Sequence, residues 1–319
     1  MALPQVQRRN LSIENDGKPV ASGGSALIYE VRLTTMTSKL TTGNYLFKEY
    51  KTFEINSVSV PHLNSIVDRI EGNKDAKLKS RLAVPLALVF RDKQFIGFLM
   101  KKLDQGCTFT LTRSTGATEP KLMTLDYFLA SWETRSKLSV PELDPWRRWA
   151  LLLDFWETIS KLHENGVVIG DISHKNLVVL RKSGAKQRVR DRLLILDVDS
   201  FSTRTHLLNT KATTPLWEVP EESVNSLQEA KAADVYKAGL VTFRLLQQFF
   251  KNVDSSFSSS QSNLVTEMLQ SKFSKPHSDL LASTISSDPN RRPTSERVFL
   301  LLDATVGRGL VNRDLNGVS

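Results

Sequence analysis

Two acidic segments, about twenty residues apart, carry the residue types that phosphoryl transfer needs. The first, Val167–Leu180, reads VVIGDISHKNLVVL: Asp171 is followed five residues later by Asn176 and then by an apolar, partly β-branched run. The second, Leu193–Ser202, reads LLILDVDSFS: Asp197 ends an apolar run and Asp199 stands two residues further on. Two short strands delivering these groups to one cleft would let Asp171 orient an acceptor hydroxyl. Asn176 and Asp197 would then hold Mg²⁺ on the phosphates of ATP.

The bulk properties restrict this chemistry only loosely. A chain of 319 residues is long enough for one two-lobed unit or two domains, and 40% hydrophobic with 24% charged residues fits a soluble globular protein. A net charge of +9 favours anions without choosing among nucleotide, nucleic acid, membrane surface and acidic protein. Cys107 is the only cysteine, which excludes an intrachain disulfide or a cysteine-rich zinc site and suits a reducing compartment. The segment MALPQVQRRN has no apolar signal core, and the longest apolar run, Ala83–Phe90, falls far short of a membrane span. The expectation is a cytoplasmic protein.

Elements that would position the acidic segments follow from periodicity. Ala26–Thr35 and Tyr45–Tyr50 alternate as strands around the turn sequence TTGN. Val60–Asn73 places Leu63, Ile66, Val67 and Ile70 at helical spacing, with Gly72 as a stop. Strands over Ala83–Phe90 and Gln94–Met100 flank the turn RDK, and after Asp104–Gly106 the texture becomes helical. Asp144 caps a helix that begins at Pro145, buries Trp149, Leu152, Leu153, Trp156, Ile159 and Leu162, and closes at Gly166. Ala232–Phe250 is apolar nearly all round and should be buried, Ser255–Ser262 is a polar loop, and Leu177–Leu196 is a small hairpin. This order predicts a two-lobed α+β enzyme with a cleft between the lobes.

Further motifs surround the two acidic segments. ASGGSALIY carries Gly23 and Gly24 between Ala21 and Ala26, with Ile28 following. Lys48 follows in YLFK on the next strand. TPLWEVPEE spans Thr214–Glu222, ADVYKAGLV contains Asp234, and DPNRRPT spans Asp288–Thr294. In this order the segments resemble the protein kinase family over nearly the whole chain.

The resemblance implies a bilobal protein-kinase-like α+β fold. Residues 1–100 would form a β-rich N-lobe with one main helix, 101–106 a hinge, and 107–319 a mostly helical C-lobe, as a single catalytic domain over 12–305. Gly23, Gly24, Ser25 and Ile28 would cover the nucleotide, and Lys48 would contact the phosphates and pair with a helix carboxylate. Glu71 and Asp68 are both candidates for that partner, with Glu54 a weaker third. Met100 would be gatekeeper or core filler, and the hinge backbone through Lys102 and Leu103 would meet adenine.

Ile169-Gly170-Asp171 stands for the family's HRD. Without the arginine there is no docking site for a loop phosphate, so activity would not require phosphorylation among Thr203, Thr205, Thr210, Thr213 and Thr214. Ser173 replaces the usual lysine, Lys175 would supply that charge to the γ-phosphate, and His174 would be a solvated loop residue. Asp197-Val198-Asp199 stands for DFG, with Asp199 beside the metal or capping a turn. Thr214 would hydrogen-bond near Asp171, Asp234 would brace the catalytic loop, and Arg292 would form a buried ion pair with Glu221.

The implied activity is a Ser/Thr protein kinase using ATP and Mg²⁺, with Mn²⁺ as an alternative. The segments GDISHKN and LDVDSF look most like divergent bacterial kinases encoded beside a TerY-like von Willebrand-type protein and a PP2C-type phosphatase. Those two and a protein substrate are the implied partners. The departures at Ala21, Ala26, Gly170, Ser173 and Asp199 keep open a pseudokinase acting as a nucleotide-binding scaffold. A small-molecule phosphotransferase of the aminoglycoside type has similar acidic segments but does not account for TPLWEVPEE or DPNRRPT. The stretch Arg181–Arg192 is strongly basic, yet it has no interleaved aromatics for stacking on nucleic acid.

Overall fold

The computed structural model of the chain describes residues 2–37, 40–52, 58–73, 75–181, 191–204, 206–207, 214–247 and 274–307. It is an α+β structure that divides into two compact units: residues up to Asp104 together with Asp197–Asp199, and Gln105–Leu196 with the chain from Ser200 onward. Glu54, Thr205, Thr210, Thr213, the interior of the basic stretch and the Ser255–Ser262 loop lie outside the described residues.

The first unit is built on a seven-stranded sheet. Its strands are β1 (Gln5–Gln7), β2 (Leu11–Ile13), β3 (Ala21–Ser22), β4 (Ala26–Leu33), β5 (Gly43–Tyr50), β6 (Pro85–Arg91) and β7 (Gln94–Lys101). They run in the order β1-β6-β7-β5-β4-β2, with β3 also on β4; β1 lies parallel to β6 and the other pairs are antiparallel. Strands β1 and β2 occupy opposite ends of that order, yet only Arg8–Asn10 separates them. Four peptide steps reach at most about 14 Å, so the sheet must curl until its edges approach, giving a half-barrel.

Strand alternation then assigns the faces. Val31, Leu33, Phe47, Val89 and Leu99 turn inward as one apolar cluster. Ile28 stands opposite Lys48, and Leu46 opposite Met100, so these side chains share the other face. Helix α1 (Val60–Gly72) buries Leu63, Ile66, Val67 and Ile70, the stripe expected from spacing, and Ser59 caps it by accepting from the His62 N–H. Its Asn64 accepts the Leu3 N–H at 2.8 Å, beside β1 of the sheet. The short helix α2 (Ala76–Lys79) follows.

The second unit opens with a hairpin, β8 (Thr108–Thr112) and β9 (Thr118–Leu122), where helical texture was expected. TFTLT alternates, burying Phe109 and Leu111 and exposing Thr108 and Thr110, which is the period that marks a strand. Helices α3 (Leu125–Leu129), α4 (Trp132–Lys137) and α5 (Pro145–Glu164) follow, the last capped by the Asp144 carboxylate on the Arg147 N–H at 2.8 Å. Then come β10 (Val167–Val168), β11 (Leu177–Leu180), β12 (Arg192–Ile195), β13 (Ser202–Thr203), α6 (Leu227–Gln247), α7 (Lys275–Thr284) and α8 (Ser295–Gly307). Helix α5 packs on α6, α8 and β12, and the indole N–H of Trp156 donates to Thr242 at 2.9 Å inside this core. Asp191, fully buried, takes Arg147 at 3.0 Å beside the start of β12. Thr203 is buried within β13 and offers no accessible hydroxyl for phosphorylation. Among the described residues no helix is long and apolar enough to cross a membrane.

Candidate active site

In the first unit the outward face of β5 carries Leu46, Lys48 and Tyr50 in alternation, and the Asp197–Asp199 turn meets it. Lys48 Nζ donates to Asp197 Oδ1 at 3.1 Å and to both oxygens of Asp199 at 2.8 and 2.9 Å. The Tyr50 hydroxyl donates to Asp199 Oδ2 at 2.6 Å. Burial by itself would lower the Lys48 pKa, but Asp199 and then Asp197 outweigh it through charge and hydrogen bonds, and the net shift is upward. Burial, then the Asp199 charge, pushes the Tyr50 phenol well above its usual 10, so it stays a hydrogen-bond donor.

The helix carboxylates are not the partners of Lys48. Asp68 and Glu71 are exposed on α1, and the carboxylates on Lys48 come from the acidic turn itself. Asp199 therefore neither caps a turn nor stands apart from the lysine. Close approach fixes this geometry from behind: a Cβ on Gly97 of β7 would sit 1.9 Å from the Lys48 carbonyl oxygen, so only glycine fits there.

The remaining first-unit candidates separate into groups. Gly23, Gly24 and Ser25 form the exposed tip between β3 and β4, closed by the Gly23 N–H on the Ala26 carbonyl at 2.9 Å and by Lys51 Nζ on the Gly23 carbonyl at 2.7 Å. An added Cβ on Gly24 would meet nothing within 4 Å, so the chain's own packing does not require glycine at this position. Ile28 and Met100 line the Lys48 face. Leu103 is half-buried, while the Lys102 side chain is engaged elsewhere, with Glu30 at 2.9 Å.

In the second unit Asn176 Nδ2 donates to Asp171 Oδ2 at 2.7 Å and to the Asp171 carbonyl at 3.0 Å, bringing these two predicted residues together. The Leu196 N–H binds the Asn176 carbonyl at 2.9 Å. Gly170 sits at φ +76° and the Asp171 N–H closes back on the Ile169 carbonyl at 2.9 Å. This tight turn needs a positive φ at its centre, and that is the physical reason an arginine does not precede Asp171. Gly170→Ala is expected to cost about 1–2 kcal/mol of stability in chemical denaturation, purely from backbone strain. The added Cβ itself would make only an ordinary 3.5 Å contact with Ser200.

Helix α6 clamps the same turn. Asp234 Oδ2 accepts the Ile169 N–H at 2.7 Å and Oδ1 the Gly170 N–H at 2.8 Å. One helical turn on, Lys237 Nζ donates to the Gly170 carbonyl at 2.7 Å. Asp234 Oδ2 also takes His163 Nε2 at 3.1 Å, and His163 Nδ1 lies 2.9 Å from the Ser295 hydroxyl. A carboxylate only accepts, so Nε2 donates to Asp234. Asp234 was legible as a brace; Lys237, His163 and Ser295 were not. The only trace of Lys237 in the sequence is a lysine within the apolar stretch Ala232–Phe250.

Three neighbours differ from expectation. Thr214 makes no hydrogen bond to Asp171; its carbonyl accepts the Trp217 N–H at 3.0 Å. His174 is half-buried: its ring lies 5.4 Å from Trp217, and burial lowers its pKa below 6.5. Ser173 is fully buried and could not be replaced by lysine without displacing its surroundings, whereas Lys175 is exposed and makes no ion pair among the described residues. Arg292 binds Glu221 through both guanidinium arms, at 2.5 and 2.8 Å, as the resemblance implied.

Among the described residues no group of three or more His, Cys, Asp or Glu is placed to hold a metal ion. A scan against protein-family models matches none, and a search of curated proteins finds no similar sequence.

Proposed function

We propose that the chain is a protein kinase in fold and activity, moving the γ-phosphate of ATP, with Mg²⁺, to Ser/Thr hydroxyls of a protein substrate. The observation that carries this reading is the Lys48–Asp197 contact at 3.1 Å, 149 residues apart in sequence, between two groups that phosphoryl transfer uses on the same triphosphate. The Asp171–Asn176 clasp, the Asp234 brace and the Arg292–Glu221 pair support it.

The residues present fit the groups this chemistry requires. Asn176 commits its Nδ2 to Asp171, and its Oδ1 takes no hydrogen bond among the described residues, leaving an oxygen for a cation. The Asp197 side chain is 47% exposed, and the tip at Gly24 has room for a phosphate to approach the backbone. Magnesium keeps several waters and takes only one or two protein ligands, so Asn176 of the second unit and Asp197 of the first are each of a type it accepts, and a larger acidic cluster is not required. Bound there, it would neutralise charge on the phosphates.

Lys48 then donates to phosphate oxygens, and exposed Lys175 adds positive charge. Asp171 orients the acceptor hydroxyl and takes its proton as the hydroxyl oxygen bonds to the γ-phosphorus and the bond to the β,γ-bridging oxygen breaks. A protein substrate and a PP2C-type phosphatase that reverses the modification are the partners on this reading.

The test is transfer from labelled ATP with Mg²⁺ to the protein itself and to peptides, with mass spectrometry of the products. Wild type should label Ser or Thr, and Asp197→Asn should not. Nucleotide binding without any transfer would favour a binding scaffold, and transfer to small alcohols in preference to peptides would favour a small-molecule phosphotransferase.

A further inference from the structure

We infer that Asp199 is the positioning residue for the Lys48 ammonium, taking the place that the kinase resemblance gives to a carboxylate of helix α1. We further infer that it keeps hold of Lys48 when Asp197 turns to a cation. The inference rests on the kinase reading for its consequence, but its geometry stands within the first unit.

An ammonium has three N–H donors. Two of those of Lys48 go to Asp199, at 2.8 and 2.9 Å, and one to Asp197, at 3.1 Å. The two carboxylates are not equivalent. The Asp199 side chain is 10% exposed and the Asp197 side chain 47% exposed. Asp199 is also fixed by the Tyr50 hydroxyl at 2.6 Å, and Tyr50 and Lys48 alternate on β5, so they present to one face. The rings of Tyr50 and Phe98 lie 5.7 and 5.8 Å from Lys48 Nζ and wall the ammonium in.

Charge accounting assigns the division of labour. One lysine between two carboxylates leaves a net charge of about −1. The half-buried Asp199, which accepts two bonds from Lys48 and one from Tyr50, neutralises the lysine, and the more exposed Asp197 is the carboxylate that would turn to a cation. In this chain the phosphate-binding lysine is preset by the acidic turn and β5, and the Asp68 and Glu71 carboxylates are not needed to orient it.

The experiment reads Lys48 directly. Protein free of metal and nucleotide is treated with an acetylating N-hydroxysuccinimide ester, and modification of Lys48 is followed by mass spectrometry against the exposed lysines. Asp199→Asn preserves size and is expected to raise Lys48 acetylation about tenfold, the equivalent of losing a charge-assisted hydrogen bond. Asp197→Asn should leave Lys48 protected. Tyr50→Phe, which removes only the hydroxyl, should give an intermediate rise and keeps the test decisive if Asp199→Asn does not fold. In parallel, a fluorescent ATP analogue titrated with Mg²⁺ should bind about tenfold more weakly to Asp199→Asn.

Equal acetylation in Asp197→Asn and Asp199→Asn, or exposure of Lys48 in an Asp68→Asn/Glu71→Gln double variant, would overturn the inference. Deprotection by Asp199→Asn in a protein that binds no nucleotide would uphold the Asp199 role and refute the kinase reading instead.

Discussion

Asp171→Asn is expected to lower phosphate transfer by about 10²–10⁴-fold while leaving the fold intact. The carboxylate accepts the Asn176 amide at 2.7 Å, and the oxygen of an asparagine side chain accepts the same bond, so the local clasp survives. The turn that holds residue 171 is fixed through backbone atoms of Ile169 and Gly170 by Asp234 and Lys237, and none of these contacts uses the Asp171 side chain. On the proposed kinase reading, what the variant loses is a negative oxygen able to receive the acceptor proton. Single-turnover transfer with saturating ATP separates this from weakened nucleotide binding: the rate should fall while the affinity for ATP stays near that of wild type. A variant with wild-type transfer would remove Asp171 from the mechanism, whatever becomes of the rest of the site.

Arg292→Ala carries the largest expected cost in stability, about 3–5 kcal/mol, the range for breaking a buried ion pair by deleting one partner. The Arg292 side chain is 0% exposed and that of Glu221 12%. The guanidinium binds both Glu221 oxygens and also donates to the carbonyls of Ser286 at 2.9 Å and Ala232 at 3.2 Å, with its plane over the Tyr236 ring at 4.8 Å. Truncation strands a carboxylate and two carbonyls together and removes the packing on Tyr236. In a thermal scan this should appear as a loss of roughly 10 °C in Tm. Replacing both partners by apolar residues, Glu221→Leu with Arg292→Met, should recover much of that loss, because no charge is then left uncompensated. A double variant no more stable than Arg292→Ala would mean that the carbonyl contacts, and not the ion pair, dominate.

The sequence determined those parts of the protein whose cause is local. Helix α1 was legible because four apolar residues recur at helical spacing, and α5 because Asp144 and Pro145 mark its start. Asp171 and Asn176 were legible as a pair because five residues of one loop bring them together. The strands β4 to β7 were legible from alternation and their turns.

Tertiary structure decided whatever depends on which distant segment fills a given space. The parallel docking of β1 on β6 has no local signal in three residues. The partner of Lys48 could not be chosen from sequence: Glu71, Asp68 and Glu54 were the candidates, and the acidic turn that supplies it was not among them. Only curling of the sheet, with Lys48 and Tyr50 on one face of β5, selects Asp199 over a carboxylate that helix α1 leaves in solvent. The missing arginine before Asp171 looked like a lost regulatory contact. In the fold it follows from a backbone angle of +76° that a side-chain-bearing residue adopts only with strain, held in place by Asp234 and Lys237 from a helix more than sixty residues away.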